Sequence, residues 1–379
     1  MKEGILKGKR ALLAFAAAAI LAVGLMGLAG CGSSSSSESS DSSAAAGSSN
    51  AAATTEYDTS AYDDVEAVTM IWGAAIPVGG ISDQWIRAVA EDVEARTGGK
   101  LKFDLYLYSD LGSNSDIMRQ IQTNDVQVYY TEPATLTSFI PELAVFDCPM
   151  IFNGYTGDQI ETVLNGDNEF TQKLAEGFDK AGVKNLMWLQ DGTYRQVTSN
   201  KELRTLEDYD GFQIRTMENA YHMAFWEAVG AEPTPLAFAE VYFALQNGTV
   251  NGQENALFTS VSNNFQEVQK YVCFTNHILY SGQIIINNDA WDSLDPKLQD
   301  ALMESVKVTH DKYRAMLTQD DQDNLKVMTD AGMEAIEYDD QFFADFLAKD
   351  GVKKVYSDIS EATDGLPELL QAELEKTKA

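Results

Sequence analysis

The chain has 379 residues, 45% apolar and 10% aromatic, which is enough to bury a core and excludes wholesale disorder. Its 27 basic residues against 58 acidic ones give a net charge of −31, which leaves no basic surplus for phosphates and excludes nucleic acid as a partner. Three Cys (Cys31, Cys148, Cys273) make no disulfide framework and three scattered His (His222, His277, His310) make no metal cluster, so neither a metal nor a cofactor is expected.

In chain order, the first predicted element is an export signal. Lys2, Lys7, Lys9 and Arg10 precede an uncharged, mostly apolar run, Ala11 to Leu28, near the lower limit for a spanning helix. Leu28-Ala29-Gly30-Cys31 then matches the lipobox of bacterial lipoproteins. The reading is a signal peptide over residues 1–30 and lipidation of Cys31, because several acyl chains on one residue make a stable anchor. The alternative is a plain membrane anchor with a chance Cys. Residues 31–65 read as a tether: Gly32 to Thr55 is Ser- and Ala-rich and cannot offset its own ordering entropy. The folded part would then sit outside the cytoplasm, lipid-anchored in a periplasm or at a cell surface.

Structure is expected from about Glu66. Val68 to Trp72 is an apolar strand. Ser82 or Asp83 caps a helix carrying Trp85, Val89 and Val93 on one face, stopped by Gly98-Gly99. Phe103, Leu105 and Leu107 alternate with Asp104 and Tyr106 as a strand. A helix over 116–122, strands over 126–130, 186–189 and 212–215, helices over 220–229 and 237–246, and a strand over 283–287 follow. This alternation predicts an α/β architecture with largely parallel sheets. Asp295 and Pro296 then open a helix whose apolar spacing runs to Gly332, about 34 residues or roughly 50 Å. Such a helix either breaks near Thr318 to Asp323 or spans two lobes. Cys148 and Cys273 sit in apolar contexts and are read as buried free thiols.

Nucleophile-elbow, P-loop, dinucleotide and zinc-protease motifs are all absent. With so many acids, carboxylate pairs occur by chance and argue little for acid–base work. An exported two-lobed α/β protein without such motifs reads as a solute receptor, not an enzyme. Arg215 is the most suggestive residue. Phe212 and Ile214 face one side of their strand, Gln213 and Arg215 the other. The planar guanidinium suits a ligand carboxylate, and equally a structural ion pair.

Residues 208–291 carry several linked motifs: Gly211-Phe212-Gln213-Ile214-Arg215-Thr216, then Gly230 to Tyr242, then Ala244 to Asn255, then Tyr271 to His277. Together they resemble the solute-binding subunit of TRAP transporters, the DctP-like family, with weaker matches extending the resemblance to about Glu66 to Thr363. The resemblance implies a two-lobed periplasmic-binding-protein-like fold, with a ligand cleft between lobes and a long helix crossing both. Lobe I would be 66–192 plus 281–320, and lobe II 193–280 plus 321–375. The implied function is capture of a small organic acid and its delivery to the small and large membrane subunits of an ion-driven transporter.

The same resemblance implies the ligand-binding residues. Arg215 would clamp the carboxylate with Arg195 and Asn255, and Phe238 would pack near the ligand or serve as a helix core residue. Glu132 would face the pocket from lobe I, favouring hydroxyl, amide or amine groups, or else cap Pro133-Ala134 at the surface. Trp72, Ala75 and Asn114 would lie on loops approaching the pocket. The chain departs from the family pattern at Asn251 and Ala256, where Asp and Pro are usual, and around Tyr129 to Pro133. An ABC-type receptor, a ligand-sensing ectodomain and an extracytoplasmic enzyme are the competing readings.

Overall fold

The computed structural model describes residues 57–378, so the signal segment, Cys31 and most of the tether lie outside the described residues. The folded unit starts earlier than Glu66. Val65 is buried in the core, Lys297 reaches Asp64 at 2.6 Å, and the Arg96 guanidinium stacks 4.5 Å from the Tyr57 ring. Residues of a mostly polar stretch are thus recruited by partners far along the chain, which local composition does not reveal.

The strands are β1 (Val68–Ala74), β2 (Leu101–Tyr106), β3 (Val128–Thr131), β4 (Val183–Leu189), β5 (Tyr194–Ser199), β6 (Gln213–Thr216), β7 (Glu232–Pro235), β8 (Gly252–Asn255), β9 (Tyr271–Leu279), β10 (Gly282–Asn287) and β11 (Glu334–Ile336). They form two sheets, ordered β2-β1-β3-β10-β4 and β11-β9-β5-β8-β6-β7. Both sheets are mixed, correcting the largely parallel expectation. β10 runs antiparallel to β3 and β4, and β5 antiparallel to β8 and β9. The reason is the route of the chain. It leaves the first sheet after β4 and returns after β9 through the short links 190–193 and 280–281, so β10 re-enters at the end where β4 left and runs back beside it.

The helix predicted to start at Ser82 or Asp83 starts at Ile81, with Gly80 as its N-cap. Asp83 instead accepts the Gly79 N–H at 2.8 Å from inside the first turn. The predicted 237–246 helix divides into a 3-10 turn, Phe238–Glu240, and a short α-helix, Val241–Gln246. The helices Gly157–Leu164 and Glu169–Lys180 were not foreseen; each opens on a reciprocal capping box, from Thr156 and Asn168.

The long helix runs unbroken from Pro296 to Asp330, 35 residues, with the Asp295 carboxylate accepting the Lys297 N–H at 2.9 Å. Its first two thirds bury Leu298, Leu302, Val306 and Leu317 against Trp72, Trp85 and Val89 of the first lobe. Its far end places Met328 with Leu257 and Val272 of the second. Within the C-terminal segment, β11 and the helix Asp350–Ala362 contact the second lobe as expected, but the last helix does not follow the expected division. The Leu366–Lys376 helix packs on the Gly157–Leu164 and Glu169–Lys180 helices of the first lobe, through Leu366, Leu370 and Leu374. Cys148 and Cys273 are free and buried.

Candidate functional site

A cavity of about 260 Å³ opens where the ends of β1 and β3 face those of β6 and β8. Arg215 enters it from β6, level with Gln253 on β8 and Thr234 on β7. Its Nε and Nη2 both donate to the Leu236 carbonyl, at 3.0 and 2.6 Å. Its Nη1 is buried and has no hydrogen-bond partner among the described residues. Burial pulls the Arg215 pKa down to about 10, despite the carboxylates of Glu254 and Glu132. An unpaired N–H on a buried cation is costly, so the arrangement favours an incoming acceptor.

Of the other expected residues, Asn255, Phe238, Glu132, Ala75 and Asn114 line the same cavity. Asn255 ends β8 and donates to Gln253 Oε1 at 3.3 Å. Asn114 opens the helix Asn114–Gln122, with its Oδ1 taking the Tyr129 hydroxyl at 2.7 Å. Sequence reasoning missed Met217, Glu218, Phe258 and Tyr280 in the lining. Tyr280 belongs to the short link between the sheets, where no periodicity marks an inward position.

Two expected residues are placed elsewhere. Trp72 is wholly buried in the first core, edge-on to Phe103 at 5.0 Å, because β1 is an interior strand flanked by β2 and β3. Arg195, expected on the ligand carboxylate, does not line the cavity. Its Nε bonds Glu254 Oε2 at 2.6 Å, its Nη2 bonds Glu254 Oε1 at 3.2 Å and the Glu254 carbonyl at 3.0 Å, and its Nη1 pairs with Glu132. β5 and β8 are neighbours in antiparallel register, which sets Arg195 and Glu254 close enough to pair.

This pair is the start of a buried ionic network beneath the cavity. His277 Nε2 meets Glu254 Oε2 at 3.0 Å, and Thr275 Oγ1 lies 2.7 Å from His277 Nδ1. His222 Nε2 meets Asp147 Oδ1 at 3.0 Å, with its Nδ1 3.8 Å from Glu254 Oε1. Asn219 donates to Asp147 Oδ2 at 2.7 Å. The network crosses between lobes, since Glu132 and Asp147 come from the first and the remainder from the second. Burial opposes the Glu254 charge, yet Arg195, His222 and His277 hold its carboxyl well below the usual range. His277 is shifted down, chiefly by burial. Among the described residues, no group of three His, Cys, Asp or Glu is arranged to hold a metal ion.

Burial would depress His222, but Asp147 and then Glu254 outweigh it and carry its pKa from 6.5 up to about 9. A raised folded pKa contributes stability that is fully present below about pH 6.5 and is lost as pH rises through about 9. The expected contribution lost across that window is roughly 3 kcal/mol. Urea unfolding of wild type and His222→Gln at several pH values checks it. A variant curve as steep as the wild type's would show that His222 is not the titrating group.

The family model for bacterial extracellular solute-binding proteins, family 7 (DctP), matches residues 81–362. A solute-binding protein of Verminephrobacter eiseniae is 30% identical over 252 residues, covering 66% of this chain and 74% of the relative. The sialic acid-binding periplasmic protein SiaP of Vibrio cholerae is 29% identical, covering 65% of this chain and 76% of its own. The crystal structure of a TRAP periplasmic solute binding protein from Desulfovibrio salexigens, with bound orotic acid, is similar with a TM-score of 0.77. It is 25% identical, and the match covers 82% of this chain and 99% of that one. With the family pattern running from the first helix to the C-terminal helices over the same two-lobed fold, the chain belongs to the family 7 extracellular solute-binding proteins, the DctP-type receptors of TRAP transporters, which bind solutes and are not enzymes.

Proposed function

We propose that this chain captures a small carboxylic acid outside the cytoplasm and delivers it to the membrane subunits of a TRAP-type transporter. The ligand carboxylate is received by Arg215 Nη1 with the Asn255 side chain beside it. The observation that carries this reading is the buried, unpartnered Nη1 of Arg215 at a cavity that Asn255 also lines. Two similar proteins support it, one named for sialic acid and one crystallised with orotic acid. Arg195 serves this site indirectly: it holds Glu132 in the cavity wall and neutralises Glu254 beneath it. Cys31 carries the lipid that keeps the receptor at the membrane.

The test is a binding screen of carboxylic acids on the full chain by thermal shift, beside Arg215→Ala. At a ligand concentration of about 100 times Kd, linkage adds roughly 2.7 kcal/mol, a shift of several degrees. Arg215→Ala is expected to weaken the best acid by about 100-fold, as charge-assisted bonds to a buried cation are worth about 1.5–3 kcal/mol. An undiminished shift in Arg215→Ala, or no shift with any acid, would refute the carboxylate clamp.

A further inference from the structure

The charges facing the cavity do not balance for a simple anion. Among the described residues lining it, Arg215 is the sole basic one, because Arg195 is consumed by Glu254 and Glu132. Two carboxylates, Glu132 and Glu218, line the same space. Glu132 spends Oε2 on Arg195 and its Oε1 has no hydrogen-bond partner among the described residues, with about a quarter of the side chain exposed. Burial raises the Glu132 pKa against the opposing pull of Arg195, so a further cation beside this carboxylate would favour its charged form. Glu218 lies three residues after Arg215, is exposed, and has no ion pair among the described residues. The rings of Phe238 and Phe258 also line the cavity.

A monoanion seated on Arg215 uses up the one available cation. Its own charge then faces two carboxylates across a cavity that water only partly screens. A neutral hydroxyl donor would bond Glu132 Oε1 without correcting the charge. A cationic nitrogen on the ligand does both, and aromatic faces add attraction for a cation.

Resting on the carboxylate reading of Arg215, we propose that the ligand is a zwitterion: a carboxylate held by Arg215 and Asn255, joined by a short spacer to a cationic nitrogen that faces Glu132 and Glu218. The pairing of opposite charges at two ends of one cavity also fixes the direction in which the ligand enters. The ligand class follows from the two carboxylates that line the cavity opposite a single basic residue, not from the clamp alone.

The experiment is calorimetric binding to the full chain of matched compounds that differ only in the cationic centre. Glycine betaine is set against 3,3-dimethylbutanoate. γ-Aminobutyrate is set against pentanoate and γ-hydroxybutyrate. A trans-4-(aminomethyl)cyclohexanecarboxylate is set against its trans-4-ethyl analogue. At least one zwitterion is expected to bind ten times or more tightly than its uncharged-tail partners. That ratio is expected to fall to about threefold or less in Glu132→Gln and Glu218→Gln combined, and all binding to weaken strongly in Arg215→Ala.

Equal or tighter binding of the plain or hydroxylated acids, lost in Arg215→Ala, overturns the zwitterion proposal and leaves the carboxylate clamp standing. A preference that persists in the double Gln variant overturns the assignment to Glu132 and Glu218. Absence of binding by every compound counts against the zwitterion proposal, and the wider acid screen on Arg215→Ala then decides the clamp separately.

Discussion

Replacing Glu254 by leucine is expected to destabilise the protein by about 4 kcal/mol, because breaking a buried ion pair strands a charge without its partner. Arg195, 1% exposed, would lose the two hydrogen bonds it donates to the Glu254 carboxylate and keep Glu132 as its one anionic partner. The bond that Nη2 donates to the Glu254 carbonyl survives, but the carboxylate that accepts Nε and Nη2 is gone. His277 and His222 lose the same anion, at 3.0 and 3.8 Å. Glu254→Gln keeps the shape and one acceptor oxygen, and is expected to cost roughly half as much. Denaturant unfolding of both variants checks the order. A leucine variant within about 1 kcal/mol of wild type would show that the network carries no net stability, as some buried pairs do not.

The second large effect is expected at Gly252. It opens β8 between β5 and β6, opposite Ser199 on one side and Ile214 on the other. A Cβ there would lie 2.3 Å from the Thr198 carbonyl oxygen and 2.6 Å from the Phe212 ring. Neither neighbour is a flexible side-chain end: one is backbone in the adjacent strand, the other a fully buried ring. Gly252→Ala therefore has to push β8 away from β5, with an expected loss of about 3 kcal/mol, the upper part of the range for overpacking. The displaced strand carries Glu254 and Asn255, so acid binding should weaken in the same variant. Unfolding midpoints and ligand titrations on one preparation test both effects. Wild-type stability in Gly252→Ala would mean that the strands separate at no cost.

These two residues illustrate what a linear reading reaches. Gly252, Glu254 and Asn255 all belong to a motif visible in the sequence, yet only Asn255 was assigned a role. A glycine's reason for being small is the atom that approaches it, and Thr198 stands 54 positions earlier. The long helix was legible because its signals are local: Asp295 and Pro296 at the start, apolar residues at helical spacing, and Gly332 at φ +99° after the end. Its continuity across both lobes was implied only by the family resemblance, since a run of polar residues on an exposed face looks the same whether the helix breaks or bridges. Arg215 was legible because strand alternation separates it from Phe212 and Ile214.

The sequence by itself determined the elements whose causes lie within a few residues: strand alternation, helix spacing, caps and glycine stops, and the apolar settings of Cys148 and Cys273. It also placed Arg215 on a strand away from the apolar face, while Asn255 was singled out by the family motif alone and its strand, β8, appeared only in the structure. Only the tertiary structure decided which of two arginines is free for a ligand. Arg195 and Arg215 are chemically alike, but β5 lies beside β8, so packing brings Glu254 and Glu132 onto the first and leaves Nη1 of the second unpaired. A charged side chain is engaged or available according to the groups desolvated around it, and those groups come from residues 132, 147, 195, 222, 254 and 277, which no local pattern connects.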